Sequence, residues 1–381
     1  MKHEVYIFSD KLDTKQNFFL TKVLQKYRNF RQRDSEEEPY AYISMTECRL
    51  LLGSVLHPVR IDELIRLGFI EKVCIGQTKY GRDIFGYIPK VTEYKRQKMA
   101  HKVITNYYQR KHSSLSKIAK KVFKFMSHST IDVTREEFEL MGDEMYKSYL
   151  LRADKAIDKV DYNKYLINLW ESIEDYNTMN MTERVEYVTE DDFGNRLHSI
   201  FSSLPKALRR RVLVWGEENV ELDLCQSQPV ILAQVLEEEM GDNSFTRLIR
   251  SGEDVYRYIS PDNRDKGKKA LYFTLFGKRT PKSIIKLFPD IEKTIKNLKW
   301  KRVEGNPSEK KYSNLAYKLQ QKESMLFRQV WTNLIKENIS FIPVHDSVMV
   351  QDKYMNKALR IMNRTLLNKL PRVDIRIDIG E

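Results

Sequence analysis

The pattern of hydrophobic and polar positions predicts a chain that mixes helices with short strands. In residues 40–95, Ser44 and Glu47 have the spacing of a capping box ahead of a first helix. Pro58 is placed to open a second helix. The apolar runs FIEKVCI and RDIFGYI then flank the segment GQTKYG, which predicts a β-hairpin.

Two helices and a hairpin in this order resemble a winged helix. Such a unit can lay one helix in a major groove and its hairpin along phosphates. Winged helices also serve in protein contacts alone, so the sequence leaves both uses of residues 40–95 open.

The same pattern divides the chain into four segments. Residues 1–39 form an N-terminal extension that ends in the charged run RQRDSEEEP. Residues 40–95 form the winged-helix-like unit, and residues 96–190 form a basic helical region. Residues 191–381 combine strands and helices and contain the candidate chemistry.

Composition indicates a polyanionic partner and excludes several classes of protein. The 66 Lys and Arg residues against 53 Asp and Glu residues give a net charge of +13, which favours nucleic acid. No apolar run reaches about 18 residues, so no membrane span is expected. The N-terminus lacks the apolar segment of a secretory signal. Three cysteines without a CxxC pair favour a reducing, cytoplasmic setting over a disulfide framework or a zinc site.

Two carboxylates stand where apolar strands end. The run VELDL predicts a short strand that delivers Asp223 to the start of a helix near Pro229. The run SFIPVHDSVMVQ predicts a hairpin with Asp346 at its tip. If the strands are neighbours, Asp223 and Asp346 converge, and paired carboxylates repel each other unless a divalent cation lies between them. Oxygen ligands select Mg²⁺ or Mn²⁺, and two such ions suit phosphoryl transfer.

A third candidate element is the segment NRDKGKKALYFTLFGKR. Arg264, Lys268, Tyr272 and Phe276 recur at every fourth position, so on a helix they form one stripe of two cations and two aromatic rings. Cations in such a stripe can hold a triphosphate, and the rings can meet a base and a sugar. An amphipathic helix would bury Tyr272 and Phe276, but it would not place the cations on the same face. Gly277 is expected to end the helix.

Taken in order, these segments resemble the motifs of the family A polymerases, the DNA polymerase I superfamily that includes the single-subunit phage RNA polymerases. DLCQSQ (223–228) resembles motif A, the stripe at 264–277 motif B, and HDS (345–347) motif C. Further similar stretches are GNRLHSIFSSLPKALRR, GEDVYRYI, LQQKES and the C-terminal VDIRIDIGE. The resemblance covers residues 195–381, about half of the chain.

The resemblance implies a fold and a metal site. The fold would be α+β, a right-hand polymerase palm and fingers with a reduced helical thumb, preceded by the winged-helix-like unit. Asp223, Asp346 and the backbone carbonyl of Leu224 would hold two Mg (or Mn) ions.

The resemblance also implies contacts with the nucleotide and with the nucleic acid. Arg264 and Lys268 would hold the phosphates of the incoming nucleotide, and Lys268 would also serve as general acid for the pyrophosphate. The other implied contacts are Tyr272 near the sugar, Phe276 at the templating base, Arg196 in the duplex minor groove, His345 near the primer terminus and Gln320 on the template or primer strand.

Departures from the family pattern concern the choice of sugar. Gln228 stands where the DNA polymerases have the Glu that blocks a ribose 2′-OH and the RNA polymerases have Gly. Tyr272 is typical of the DNA branch and Ser347 of the RNA branch. Phe276 lacks the hydroxyl that pairs with the blocking residue. Because Gln228 is bulky, the sequence favours dNTPs over NTPs.

The expected function is that of a minimal DNA-dependent DNA polymerase. It would extend a DNA primer–template in the replication of a phage or mobile element, together with replication proteins. Residues 1–190 are already assigned to other segments, so no proofreading exonuclease domain is expected. Two alternatives are an RNA polymerase or primase on the same scaffold, and a non-catalytic replication initiator that binds DNA through residues 40–95.

Overall fold

The chain is a mixed helical and sheet protein, as the hydrophobic pattern predicts. A computed structural model describes residues 3–31, 40–53, 55–77, 83–91, 93–153, 159–308, 310–370 and 375–380. Apart from Arg31, the predicted linker RQRDSEEEP lies outside these residues, and so does most of the hairpin turn GQTKYG.

The helices, in chain order, are α1 (Thr14–Arg31), α2 (Met45–Leu52), α3 (His57–Arg66), α4 (Lys102–Ser114), α5 (Lys117–Ser127), α6 (Arg135–Leu140), α7 (Gly142–Ala153), α8 (Lys159–Thr178), α9 (Ile200–Ser203), α10 (Lys206–Arg209), α11 (Ser227–Met240), α12 (Ser244–Arg250), α13 (Val255–Ile259), α14 (Arg264–Phe276), α15 (Lys282–Leu287), α16 (Glu292–Trp300), α17 (Asn314–Lys336) and α18 (Met355–Lys369). Short 3₁₀ turns are found at Glu183–Tyr187, Pro289–Ile291 and Asp352–Tyr354. None of the helices within the described ranges combines the length and the apolar character needed to cross a bilayer.

The strands, in chain order, are β1 (His3–Ile7), β2 (Ile70–Gln77), β3 (Asp83–Pro89), β4 (Lys95–Met99), β5 (Thr130–Ile131), β6 (Thr189–Glu190), β7 (Leu197–His198), β8 (Val212–Leu213), β9 (Asn219–Leu224), β10 (Phe341–Val344), β11 (Ser347–Gln351) and β12 (Ile377–Gly380).

Two compact units are assembled from interleaved parts of the chain. The first comprises Met1–Leu115, Ile131–Tyr187 and Pro205–Leu208. The second comprises Ser116–Thr130, Val188–Leu204 and Arg209–Glu381. The four segments expected from the sequence stay a prediction about domains, because compactness alone does not show which segment folds independently.

In the first unit, helices α2 and α3 precede the antiparallel hairpin β2–β3. The predicted capping box is confirmed: the Glu47 amide donates to the Ser44 hydroxyl at 3.2 Å, and the Ser44 amide donates to the Glu47 carboxylate at 3.0 Å. Helix α3 begins at His57 with Pro58 in its first turn. The elements of the winged-helix-like prediction are therefore present in the expected order.

The outward face of α3 is close to neutral. Its exposed side chains are Pro58, Val59, Asp62 and Arg66. A helix that enters a DNA groove usually carries a positive charge for the phosphates. DNA contact through residues 40–95 therefore stays a prediction that this face does not itself favour.

In the second unit, one antiparallel sheet has the strand order β10–β11–β9–β12. Strand β9 alternates, with Leu222 and Leu224 buried and with Glu221 and Asp223 half-buried on the other face. Strands β10 and β11 are buried along their whole length. Helix α18 packs against β9 and β11, so the buried side chains of the sheet form part of the core, while the polar residues of β9 stay partly exposed.

Candidate active site

The tip of the β10–β11 hairpin lies beside the end of strand β9. Asp223 is directly opposite Ser347 in the antiparallel register, and the Leu224 amide donates to the Asp346 carbonyl at 3.1 Å. Because directly opposed residues share a face, the polar face of β9 brings Asp223 next to the hairpin tip. The two apolar runs recognised in the sequence are therefore neighbouring strands, and the two acidic residues that they carry are close together.

Asp346 lies in an excess of negative charge. Its pKa is raised to about 8, first by burial and then by the charges of Glu323 and Asp223, against the opposing effects of a backbone hydrogen bond and of the charge of Arg196. Asp346 as a whole residue is half-buried. A carboxyl with this environment binds either a proton or another cation at neutral pH.

His345 precedes Asp346 in a left-handed conformation, with φ of 51°. Burial and the neighbouring positive charge of Arg196 lower the pKa of His345 to about 4, so its ring is neutral at pH 7. The ring centroid lies 5.3 Å from that of His198, whose Nε2 is 2.6 Å from an Asp191 oxygen. The Nδ1 atom of His345 is buried and has no hydrogen-bond partner within the described residues.

Helix α14 carries the predicted stripe. Asn263 caps it by accepting a hydrogen bond from the Lys266 amide, and Gly277 ends it as expected. Arg264 and Lys268 are exposed, whereas Tyr272 and Phe276 are half-buried, with ring centroids 5.6 Å apart. Among the described residues Lys268 has no carboxylate partner, and its ammonium lies 5.7 Å from the Tyr272 ring centroid.

Arg264 is held at the start of the stripe. Its Nε donates to Asp254 at 2.7 Å, and its guanidinium lies 4.9 Å from the centroid of the Tyr256 ring. Gly267 is required one turn later, since a Cβ at that position would lie 1.9 Å from the Tyr256 carbonyl oxygen. The close approach of α13 to α14 therefore fixes the orientation of the stripe.

Tyr272 links α14 electrostatically to the carboxylates of the sheet. Burial and the charge of Asp346 raise the pKa of Tyr272, and Glu323 contributes in the same direction. Tyr256 shares a hydrogen bond with the Tyr272 hydroxyl. The aromatic end of the stripe thus lies near Asp346, and the cations of the stripe lie in the preceding turns of the helix.

A buried network on Glu323 connects helix α17 with the start of α11. Glu323 is 2% exposed and forms an ion pair with Arg196. Its Oε1 accepts hydrogen bonds from the Ser227 hydroxyl at 3.2 Å and from Nε2 of Gln228. Two buried atoms of this network, Nε of Arg196 and Oε1 of Gln228, have no hydrogen-bond partner in the part of the chain that is described.

Gln320 lies one turn before Glu323 and packs against Gly194. A Cβ on Gly194 would be 2.8 Å from both Cβ and Oε1 of Gln320, so only glycine allows this approach. The next carbonyl, of Asn195, accepts hydrogen bonds from Ser324 at 2.5 Å and from Arg328 at 2.8 Å. These contacts hold the segment that carries Arg196 against helix α17.

The sequence-predicted residues therefore fall into two groups. The central group lies around the sheet end and consists of Arg196, Asp223, Leu224, Gln228, Tyr272, His345 and Asp346. The others extend from it: Arg264 and Lys268 along α14, Phe276 beside Tyr272, and Gln320 along α17. Their roles in binding or catalysis stay predictions.

Three acidic residues at the site were not predicted. Glu323 lies on the apolar side of α17, between buried Leu319 and Phe327, and a charged residue at such a position is the sequence signal that could have found it. Asp378 is opposite Asp223 on β12. Glu221 accepts hydrogen bonds from Arg209 and Ser347, each at 2.6 Å.

The donor set suits a hard divalent cation. The carboxylates of Asp223 at the end of β9 and of Asp346 at the hairpin tip offer oxygen ligands, with the nearby Leu224 backbone. Burial and the charges of Glu323 and Asp223 raise the pKa of Asp346, so this carboxylate gains from a bound cation. Within the described ranges, no group of three or more His, Cys, Asp or Glu side chains is arranged to hold a metal ion by itself. Any such ion would therefore rely on other oxygen ligands, as Mg²⁺ commonly does with water and phosphate.

Comparison with known proteins gives limited likeness. No protein-family model and no curated protein matches the chain. A solved structure that it resembles is the polymerase domain of Pol1 from M. smegmatis in complex with a DNA primer–template and dNTP. The TM-score is 0.39 and the sequence identity 13%, over 66% of this chain and 57% of that chain. The chain thus matches little more than half the length of that structure, and the chemistry of the site rests on its own residues.

Proposed function

We propose that this chain is a template-directed nucleotidyltransferase, a compact family A-like DNA polymerase that extends a DNA primer on a DNA template with dNTPs. The observation that carries the proposal is the meeting of Asp223 and Asp346 at one end of the sheet, with the stripe of α14 leading away from them. A carboxylate pair beside a row of cations and aromatic rings suits a substrate with a triphosphate, a sugar and a base.

Asp223 and Asp346, with the Leu224 carbonyl, would hold two Mg²⁺ (or Mn²⁺) ions. When bound, such ions lower the pKa of an attacking hydroxyl and offset charge on the leaving group. The residues themselves supply the counter-charge and the geometry. Strand pairing fixes Asp223, and the Leu224–Asp346 hydrogen bond at 3.1 Å fixes the backbone of the hairpin tip.

Arg264 and Lys268 would bind the triphosphate. The exposed ammonium of Lys268 has no carboxylate to release within the described chain, so it can bind a phosphate without breaking an ion pair. Arg264 would have to share its guanidinium with Asp254, which orients it. Lys268 is also the candidate to donate a proton to the departing pyrophosphate.

Tyr272 and Phe276 would contact the sugar and the bases, and Arg196, Gln320 and His345 would contact the primer and template strands. His345 would do so as a neutral ring, since burial lowers its pKa to about 4. Its unpartnered Nδ1 offers one hydrogen bond at the hairpin tip. A neutral group there can contact a sugar or base without binding phosphate.

Absence of proofreading and a role in replicating a phage or mobile element belong to the same proposal. A polymerase of this kind would leave a mismatched primer end in place. Incubation with a mismatched, labelled primer and Mg²⁺ but no dNTPs tests this, and shortening of the primer by the purified protein would contradict it.

The main test is extension of a labelled primer–template in Mg²⁺ with dNTPs or with NTPs. We expect template-directed extension with dNTPs, lost in Asp346→Asn and retained in Asp352→Asn, which makes the same change at an exposed position a few residues along. Extension with NTPs alone would favour the RNA polymerase or primase alternative. Duplex binding without extension under either condition would favour the non-catalytic initiator.

A further inference from the structure

We infer that Glu323 sets the sugar specificity of this site by fixing the amide of Gln228, so that Oε1 of Gln228 is presented to a hydroxyl of the incoming nucleotide's sugar. The inference rests on the proposed function. It assigns to Glu323 the role of a positioning residue, which acts through Gln228 rather than by touching the nucleotide.

The chemistry of the pair decides which way the amide points. An ionised carboxylate only accepts hydrogen bonds, whereas an amide has one end that donates and one that accepts. Glu323 therefore selects the orientation in which Nε2 of Gln228 faces it, and this is the orientation found. The same Oε1 of Glu323 also accepts a hydrogen bond from the Ser227 hydroxyl. If the Gln228 amide were turned round, its oxygen would face an oxygen that can only accept, and the hydrogen bond between Gln228 and Glu323 would be lost.

Arg196 completes the fixation. Its guanidinium pairs with the second oxygen of Glu323, which supplies a positive charge to a side chain that is 2% exposed. Glu323 is thereby held between two segments, the one that carries Arg196 and the start of α11, and its own rotamer freedom is small. A carboxylate held in this way is a rigid acceptor against which Gln228 is aligned.

The consequence is a buried acceptor that no described residue satisfies. Oxygen Oε1 of Gln228 has no hydrogen-bond donor within reach, and Gln228 is 4% exposed. Buried acceptors are nearly always satisfied, so an orphaned one at a site points to a donor that arrives with the ligand.

A sugar hydroxyl is the donor that fits a nucleotide at this position. The phosphates of a nucleoside triphosphate accept hydrogen bonds at neutral pH, and the donors of the base are engaged with the template. Glu323, which contacts Gln228, and Asp346 both add to burial in raising the pKa of Tyr272, so the network and the aromatic end of the α14 stripe lie in the same region. The hydroxyls that remain are the 3′-OH, and in a ribonucleotide also the 2′-OH.

The test compares nucleotide binding to the protein on a duplex whose primer ends in a dideoxynucleotide, so that binding is measured without reaction. The probes are a correct dNTP, the corresponding ddNTP and the corresponding NTP, each titrated in Mg²⁺. The variant is Glu323→Gln, and the matched control is Glu238→Gln, which removes an exposed carboxylate that pairs with Lys322 at 2.7 Å. Removing a hydrogen bond of this type changes affinity by about tenfold.

We expect the wild-type protein and the Glu238→Gln control to discriminate among the three sugars alike. In Glu323→Gln, where either amide can turn, the discrimination between dNTP and ddNTP, or between dNTP and NTP, should shrink by about tenfold. Reduced discrimination between dNTP and ddNTP would identify the 3′-OH as the donor, and reduced discrimination between dNTP and NTP would identify the 2′-OH. The double swap Gln228→Glu with Glu323→Gln restores a fixed donor–acceptor pair and should restore discrimination, which a merely structural role would not predict.

Affinity ratios in Glu323→Gln within twofold of the wild-type ratios would overturn the inference while leaving the polymerase proposal intact. If Glu323→Gln does not fold, Gln228→Met, which keeps the bulk and removes the acceptor, must show the same loss of discrimination. A wild-type protein that neither binds nor incorporates any of the three nucleotides would overturn the proposed function, and the inference with it.

Discussion

Glu186 in the first compact unit and Asp346 in the second are both enclosed carboxyl groups, but the charges around them differ. Glu186 is surrounded mainly by cations and Asp346 mainly by other carboxylates. Glu186 accepts hydrogen bonds from Lys111 at 2.8 Å, Tyr107 at 3.2 Å and Lys22 at 3.3 Å. Burial alone would raise its pKa, but Lys111, Lys22 and then Lys26 together lower it well below the ordinary value. Asp346 faces two further carboxylates and one arginine, and its pKa rises to about 8.

Lys22, one of the cations of the first cluster, also has hydrogen-bond partners, although burial still lowers its pKa below the ordinary value. Lys22 is 1% exposed, and its ammonium donates to Tyr108 at 2.9 Å and to Gln25 at 3.0 Å. The second cluster instead leaves Arg196, Gln228 and His345 each with a buried atom that no described residue partners. This difference is what we expect if the first cluster serves the fold and the second binds the proposed ligand.

The largest expected effect separates activity from stability at Asp346. Asp346→Asn should lower the incorporation rate by roughly 10³-fold or more, since it removes a ligand of ions that supply several kcal/mol of transition-state stabilisation. It should not lower the free energy of unfolding, because it removes a charge that the fold disfavours. Single-turnover extension and urea unfolding of the same preparations check this. If Asp346→Asn is inactive because it is unfolded, Asp346 serves the fold as Glu186 does, and the proposed difference between the two residues is wrong.

Glu186→Gln should do the reverse in the first unit. It leaves Lys22 buried without its carboxylate, so we expect the free energy of unfolding to fall by about 3–5 kcal/mol. Urea unfolding followed by circular dichroism measures the change. An effect below about 1 kcal/mol would show that the remaining partners of Lys22 suffice, and the cluster would then lose its assigned structural role.

Lys268→Ala should lower the incorporation rate by roughly 10²–10³-fold, the range found when one donor to a developing charge is removed. Its side chain is exposed, so the free energy of unfolding should stay within about 0.5 kcal/mol of wild type. Rapid-quench measurements with a saturating dNTP test the rate. Lys269→Ala, the next residue on another face of α14, provides the matched control and should retain the wild-type rate.

The two clusters should also respond to pH with opposite sign. Asp346 has a raised pKa in the folded state, so its contribution to stability is present below about pH 4 and is lost as the pH rises towards 8, by at most about 1.4 kcal/mol per pH unit. Glu186 has a lowered pKa, so its contribution is present at neutral pH and is lost as the pH falls below its ordinary value of 4.5.

Urea midpoints measured in EDTA between pH 4 and 8 test this pair of trends. Asp346→Asn should flatten the decline of stability from pH 5 to 8, whereas Glu186→Gln should flatten the decline below pH 5. Millimolar Mg²⁺ should stabilise wild type most at the high end of the range, where Asp346 is ionised. Identical pH profiles for all three proteins would remove the electrostatic part of the comparison.

The smallest effect is expected for an ion pair that belongs to neither cluster. Glu239 accepts a hydrogen bond from Lys318 at 2.5 Å on a solvent-accessible surface. Glu239→Gln should lower the free energy of unfolding by at most about 1 kcal/mol, because exposed pairs are screened by water and salt. If Glu239→Gln lowered the free energy of unfolding as much as Glu186→Gln, the burial of Glu186 and the cations around it would not explain the difference between the two regions.

Local sequence rules predicted elements whose cause lies within a few residues. The capping box at Ser44, the start of α3 with Pro58 in its first turn and the end of α14 at Gly277 all follow from short-range hydrogen bonding and backbone preference. The convergence of Asp223 with Asp346 required one further assumption, that two apolar runs pair. The register of β9 and β11 bears it out.

Long-range pairings could not be predicted in the same way. The pairing of β1 with β4 joins residues 3–7 to residues 95–99, and no local pattern selects that partner. Glu323 was missed because the helical period explains its neighbours Leu319 and Phe327 as core and is silent on what a charge between them would contact. Its partners are Arg196 and Gln228, which come from distant segments.

The strand order of the second unit has a consequence for how the site is made during protein synthesis. Strand β9, which carries Asp223, lies between β11 and β12, and the Glu221–Ser347 hydrogen bond already joins residues 126 positions apart. A ribosome must therefore release nearly the whole second unit before β9 can be paired on both edges. Until then β9 lacks its partner strands, so we expect this sheet to form after the helices around it.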